Sequence, residues 1–282
     1  MKRIAVLGAG AMGVGIAQVA AQGGYEVVVR DLQMTLVQRG LTRIFQSLDE
    51  AVSRGEMSAE ERDNIAARLK GTTDLSDVHD ADLVIEAIIE NASVKKQVFA
   101  ELDAHCSEKT ILGTNTSSLS ISEIASATRT PQRVIGVHFF YPVPEMELVE
   151  VVKGLQTSAE TVERTLEVTR NMGKRAIVVE RDSPGFVVNR IMASMLNEAI
   201  WVYGEGLASA EDIDLAIKLE TGMAQGPLEL ADILGLDTLY SVIMALYEDF
   251  KDPKYRPHPC FSTMVKSGQL GRKTGQGFYI YK

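Results

Sequence analysis

The sequence predicts an α/β protein: a doubly wound N-terminal domain carrying a helical arm at about residues 35–70, followed by an all-α C-terminal domain. Three observations carry this. A glycine-rich turn joins an apolar strand to a helix in the first twenty residues, strands and helices alternate to about residue 183, and only helical periodicity follows.

The apolar run Ile4-Ala5-Val6-Leu7 reads as a strand, Gly8-Ala9-Gly10-Ala11-Met12-Gly13 as a turn, and Val14 onward as a helix. These flanks are what dinucleotide binding requires of a GxGxxG turn. Gly8 permits the tight turn, Gly10 lets a pyrophosphate approach the backbone, and Gly13 lets helix and strand pack closely. The N–H groups at the helix start, from Ala11 and Met12 onward, face the phosphates with the positive end of the helix dipole behind them. A second strand, residues 25–30, ends at Asp31, about twenty residues beyond the last glycine, where an acid takes the ribose hydroxyls of NAD. An acid there repels a 2′-phosphate, so NAD is expected over NADP, although Arg30 next door is able to pair with such a phosphate. The bland reading of Asp31 is a carboxylate capping a surface loop. Strand, glycines and acid in register point instead to a Rossmann-type unit.

The arm follows. An amphipathic stretch over residues 35–53 leads to a helix whose Ser58 and Glu61 have the spacing of a capping box, and this excursion is too long for a simple crossover. Further strands are predicted at residues 83–88, 110–113, 133–137, 148–152 and 176–179, with a helix over 94–102 and a short one capped by Ser120 and Glu123. Asp182-Ser183-Pro184-Gly185 punctuates the pattern, so the first domain is set at residues 1–183 and the second at 184–282. Helices are predicted over 187–203, from Ser209 to Leu219, and as one long segment over 227–250; Gly271 to Gly277 is a turn before a last strand.

Composition narrows the function classes. With 45% hydrophobic and 24% charged residues the chain has the balance of an ordinary globular protein, and its formal charge of −9 argues against nucleic acid or an anionic membrane as partner. Two cysteines, Cys106 and Cys260, and no charged-then-apolar leader before the first strand lead to the expectation of a cytoplasmic setting. No apolar stretch reaches membrane-spanning length.

In doubly wound sheets the ligand crevice lies at the carboxyl ends of the strands. One strand there runs into Thr114-Asn115-Thr116-Ser117-Ser118, and another ends at His138, followed by Phe139-Phe140-Tyr141-Pro142, which should screen the imidazole from water. A lone strand-end histidine is more often a packed structural residue than a catalyst. Its place at the crevice reverses this, since imidazole exchanges a proton near neutral pH, and Ser117 and His138 are candidates to converge on one polar substrate group. Glu150 falls among apolar neighbours on the face of Leu148 and Val152, so it needs a partner, for which an imidazole is the obvious candidate.

The combination GAGAMG, Asp31, VIEAIIE, NTSSLSI, VIGVHFFYPVPEMELVEVV, SPGFVVNR, GPLELADILGLD and GRKTGQGFY resembles the L-3-hydroxyacyl-CoA dehydrogenases, in order and spacing over essentially the whole chain. Within that family the resemblance is strongest to the bacterial short-chain 3-hydroxybutyryl-CoA dehydrogenases. It implies NAD-linked, reversible interconversion of an L-3-hydroxyacyl-CoA and a 3-ketoacyl-CoA. It also implies that His138 and Glu150 do the proton work, with Ser117 and Asn189 bonding the reacting oxygen and the thioester side. The alternative for Asn189 is an amide satisfying the linker backbone. Cofactor contacts are implied at Glu90, Lys95, Ser117, Tyr141 and Lys273, and coenzyme A contacts at Ser47, Arg54 and Ser117. For Arg54, Lys95, Lys96 and Lys273 the alternative is solvated surface charge. No metal is expected.

Two departures from the family pattern bear on substrate. Tyr141 stands where an asparagine is usual, and Gly222-Met223-Ala224-Gln225-Gly226-Pro227 replaces a loop that commonly carries proline and methionine before the glycine; both lead to the expectation of an unusual acyl group as an alternative substrate. A CoA-independent hydroxyacid dehydrogenase and a non-catalytic NAD-binding protein are the competing readings. Apolar stretches at 191–196 and 234–246 exceed what one thin domain buries easily, so a homodimer through the helical domain is expected.

Overall fold

Ile4 to Leu7 are shut off from water on both faces, as the central strand of a parallel sheet must be. A computed structural model describes residues 1–281 and separates two units, Met1–Ser183 and Pro184–Lys282. The first is built on eight strands: β1 (Arg3–Leu7), β2 (Glu26–Arg30), β3 (Leu69–Thr72), β4 (Leu83–Glu86), β5 (Ile111–Thr114), β6 (Val134–Phe139), β7 (Leu148–Lys153) and β8 (Arg175–Val179). They lie in the order β3-β2-β1-β4-β5-β6-β7-β8, parallel throughout except where β6 meets β7. The order reverses between β1 and β4, so the crevice opens at their carboxyl ends.

Helix α1 (Ala11–Gln22) starts directly from the glycine turn, and α2 (Met34–Ser53) buries Val37, Gly40, Ile44 and Leu48 along one stripe. Helix α3 (Ala59–Ala66) has its capping box: the Glu61 N–H donates to Ser58 Oγ at 3.2 Å and the Ser58 N–H to Glu61 Oε2 at 2.9 Å. The predicted helical arm is this pair, α2 and α3. These helices are the crossover from β2 to β3, and Ile44, Leu48 and Ile65 belong to the core of the first unit. Strand β3 was not anticipated because Leu69-Lys70-Gly71-Thr72 has almost no apolar signal. Gly71 belongs there sterically, since a Cβ would stand 2.4 Å from Val37 Cγ1.

Helix α4 (Ala92–His105), α5 (Ile121–Ala125) and α6 (Ala159–Asn171) complete this unit; α6 lies in a stretch for which no helix was predicted. Strand β4 stops at Glu86, two residues short of the apolar run, because Glu86 turns inward to accept hydrogen bonds. Asp103, 5% exposed near the end of α4, takes the Arg133 guanidinium at 2.7 Å, the Arg129 N–H at 2.9 Å and the Thr130 hydroxyl at 3.1 Å. Burial alone would push the Asp103 carboxyl up, but these donors, Arg133 first, hold it down at about 2. The depressed folded value means that the stabilisation is complete above about pH 4 and is lost as pH falls through about 2. Asp103→Asn is expected to lower the unfolding free energy by about 3 kcal/mol at neutral pH, stranding the buried Arg133. Urea unfolding between pH 2 and 7 checks this: the variant's curves should show less acid dependence across that interval.

The second unit is helical: α7 (Val188–Gly204), α8 (Ala210–Thr221), α9 (Pro227–Leu234), α10 (Leu236–Phe250) and α11 (Pro259–Lys266). Ser209 caps α8 by accepting from the Asp212 N–H at 3.1 Å. The single helix predicted over 227–250 is two helices: Gly235, at φ +91°, breaks them with a bend of 100°. Among the described residues no last strand forms either. Gly271 and Gln276, then Gln276 and Ile280, make isolated bridges around a turn at residues 272–274.

Two buried acids fasten that tail. Asp232 accepts the Phe278 and Tyr279 N–H groups and the Tyr281 hydroxyl, each at 3.0 Å. Asp214 accepts the Leu228 N–H at 2.7 Å at the start of α9 and the Tyr279 hydroxyl at 2.8 Å. Burial pushes Asp232 up, while burial and Asp232 together push the Tyr281 phenol up to about 12. A Cβ at Gly277 would stand 1.9 Å from Asp232 Oδ1 and one at Gly226 2.2 Å from Asp214 Cβ, so glycines in both late motifs make room for this clasp. Most of the apolar stretches singled out above are spent internally, with Leu196, Leu239, Ile243 and Leu246 buried; Ile191 and Leu234 remain exposed.

Candidate active site

The glycine turn fits a dinucleotide. Gly8 has φ +104°, and a Cβ on it would meet Ala87 O at 2.4 Å; one on Gly13 would meet Gly8 O at 1.8 Å. Around the Cβ position of Gly10 there is open space to 4 Å, and among the described residues no side chain caps α1. The exposed Gly10 and Ala11 and the half-buried Met12 thus leave backbone donors at a helix start to an anion. Asp31 is fixed at the end of β2 by two backbone donors: its Oδ2 accepts the Ala9 N–H and its Oδ1 the Leu32 N–H, both at 2.7 Å.

Across the switch point, β6 and β7 pair His138 directly with Glu150. Opposite residues of antiparallel strands share a face, and His138 Nδ1 stands 2.8 Å from Glu150 Oε2. Glu150 is wholly buried and His138 5% exposed. The screening of the imidazole is narrower than predicted. Phe140 lies against it, ring centroids 4.4 Å apart, whereas Tyr141 turns outward at 68% exposure. The Phe139 N–H donates to Asn115 Oδ1 at 2.9 Å, tying the end of β6 to the loop after β5.

That loop carries half-buried Ser117, whose N–H donates to Glu90 Oε1 at 3.2 Å. Lys95 is not the surface charge of the bland reading: it is 1% exposed, with its ammonium 2.6 Å from Glu86 and 3.3 Å from Glu90. Lys96 does fit that reading, paired loosely with Glu123 at 3.5 Å. Ser47 on α2 accepts from Gln18 Nε2 on α1 at 3.1 Å. Arg54, just past α2, is clasped by both oxygens of Glu56 at 2.8 and 2.9 Å. In the second unit Asn189 is half-buried in the first turn of α7, and Lys273 pairs with Asp237. Thr114 and Asn115 belong to the polar cluster read from the sequence, whereas Glu86 is a site-builder that the sequence reading does not single out. Glu86 carries the same signal as Glu150, an acid within a buried apolar strand.

The family model for the NAD binding domain of 3-hydroxyacyl-CoA dehydrogenase matches residues 3–183, and that for the C-terminal domain matches residues 185–281. The chain belongs to the 3-hydroxyacyl-CoA dehydrogenase family. Among its relatives in that family, a 3-hydroxybutyryl-CoA dehydrogenase of Clostridioides difficile is 44% identical over 99% of both chains. The mitochondrial hydroxyacyl-coenzyme A dehydrogenase of Sus scrofa is 41% identical, over all of this chain and 92% of that one. A crystal structure of (S)-3-hydroxybutyryl-CoA dehydrogenase from Ralstonia eutropha superposes with a TM-score of 0.97 at 44% identity, covering 100% of this chain and 99% of that one. The first unit is therefore the family's NAD-binding domain, and NAD is its cofactor.

Proposed function

We propose that the enzyme interconverts short-chain L-3-hydroxyacyl-CoA and 3-ketoacyl-CoA, with 3-hydroxybutyryl-CoA and acetoacetyl-CoA as its working pair. The observation that carries this is the buried His138–Glu150 pair at the carboxyl end of β6. Glu150 accepts a hydrogen bond from Nδ1–H, so Nε2 is the nitrogen with the lone pair. In the oxidative direction Nε2 accepts the proton of the 3-hydroxyl; in reduction the imidazolium returns it, its charge balanced by Glu150. NAD, when bound, supplies the hydride acceptor. Gly8, Gly10, Ala11, Met12 and Gly13 would hold its phosphates and Asp31 a ribose, with Glu90, Lys95, Tyr141 and Lys273 as further contacts. Ser117 and Asn189 bond the substrate oxygen and the thioester side, while Ser47 and Arg54 take the coenzyme A portion.

The deciding experiment mixes the purified protein with acetoacetyl-CoA and follows the absorbance of NADH and, separately, NADPH. Fast loss of NADH is expected; turnover of free acetoacetate at a comparable rate would replace this reading with a CoA-independent one. Asp31→Ala is expected to weaken NADH binding about 10- to 100-fold, the worth of a hydrogen bond to a charged group, as read by fluorescence titration.

A second reading, an unusual acyl group, rests on exposed Tyr141 in place of an amide. Rates across acyl lengths separate the two, since a sharp four-carbon optimum leaves no need for it. A homodimer through the helical unit is proposed from exposed Ile191, Leu215, Leu219 and Leu234, with light scattering as the check. A cytoplasmic setting is proposed from Cys106 and Cys260, both free thiols. No single helix among the described residues is long and apolar enough to cross a membrane.

A further inference from the structure

Glu86 is wholly buried at the end of β4, and nothing in the proton chemistry uses it. Its Oε1 accepts the Lys95 ammonium at 2.6 Å and the Ile88 N–H at 2.7 Å, and its Oε2 accepts the Thr114 hydroxyl at 2.8 Å. The same ammonium reaches Glu90 Oε2 at 3.3 Å. Glu90 Oε1 in turn accepts the Ser117 N–H and the Ser118 hydroxyl, each at 3.2 Å, and the Thr116 hydroxyl. A carboxylate–ammonium–carboxylate chain thus runs from inside the sheet to the loop after β5, and its outer carboxylate, 40% exposed, is the member that meets solvent.

Burying an ion pair costs enough desolvation that an apolar pair of equal volume often serves stability as well or better. The charge is better explained by what it holds. Without Glu86 the Lys95 ammonium, 1% exposed, would keep only Glu90 as an ion-pair partner, and the anchor of that pair inside the sheet would be gone. We propose that Glu86 is a positioning residue for the cofactor: it pins the Lys95 ammonium so that Glu90 and the Ser117 loop stand pre-arranged at the crevice. This rests on the reading that Glu90, Lys95 and Ser117 contact NAD.

The test is a double-mutant cycle read by NADH fluorescence titration, with thermal unfolding and steady-state kinetics alongside. Glu86→Gln keeps the shape and removes the charge. It is expected to raise the Kd and KM for NADH about tenfold while kcat changes less than about threefold. On a Lys95→Met background the same substitution should add almost nothing, because its route of action is gone. Should Glu86→Gln prove too unstable, Glu86→Asp, which keeps the charge but withdraws it by one methylene, reads the same effect. An unchanged NADH Kd with only a lowered unfolding temperature overturns the proposal, as do effects of the two substitutions that simply multiply. The titration needs no acyl-CoA, so an error in the substrate leaves the comparison intact. A wild-type protein that binds no NADH would remove the functional reading and this proposal with it.

Discussion

His138→Gln is expected to reduce kcat in both directions by about 10²- to 10⁴-fold, the usual worth of a positioned acid–base group, while leaving the Kd for NADH within about twofold. The reasoning is geometric. Glutamine fills much of the imidazole's volume and offers an amide to Glu150, so the buried carboxylate keeps a donor and the strand pair stays intact. What disappears is the group that exchanges a proton. Stopped-flow measurement of NADH loss with acetoacetyl-CoA reads the chemical step directly. A variant turning over within tenfold of the wild type would show that the proton comes from elsewhere.

Glu150→Gln is expected to be nearly as damaging, on the order of 10³-fold in kcat, although this residue touches no substrate. The amide no longer specifies which ring nitrogen carries the proton, because its oxygen accepts from Nδ1–H while its NH₂ donates to a bare Nδ1. Half of the arrangements then present a protonated Nε2 to the hydroxyl, and no negative charge balances the imidazolium. Reduction, which starts from the protonated ring, should suffer more than oxidation. Comparing pH profiles in the two directions tests this, and equal losses with unshifted profiles would reduce Glu150 to a packing role.

The dinucleotide crevice was legible because each of its requirements is local. Gly8, Gly10, Gly13 and Asp31 sit at fixed offsets along one strand–turn–helix–strand, and backbone geometry converts those offsets directly into a site. The Glu150 partnership was legible by another route: strand alternation put an acid among apolar neighbours, which demands a counterpart. His138 was the imidazole at hand. The same logic applies to Glu86, but its partner Lys95 is of a residue type that ordinarily lies in solvent.

Other features were not local. Leu69-Lys70-Gly71-Thr72 becomes a strand through its pairing with β2, a tertiary effect that its own residues hardly announce. The helices before it are legible as a helical pair, but amphipathicity reveals a buried stripe and not what buries it. Gly235 lies in an uninterrupted apolar pattern, and a single glycine is tolerated within a helix often enough that the sharp bend stayed hidden. Arg54 is legible as a cation and not as one already embraced by Glu56. The phosphate-bearing ligand proposed for that position has to displace a carboxylate first.

The clasp of Asp214 and Asp232 sets a schedule for the chain as it leaves the ribosome. All eight strands of the first unit have been made by residue 179, so that unit can close while the rest is still being translated. The second unit cannot. The partners of its two buried carboxylates include Phe278, Tyr279 and Tyr281, which are synthesised some fifty residues after Asp232. Until they emerge, Asp232 lacks its tail donors and Asp214 has only the Leu228 and Glu229 N–H groups, so the helices stay loosely hydrated. Nascent chains stalled before residue 278 should therefore show a protease-resistant first unit followed by a digestible helical segment.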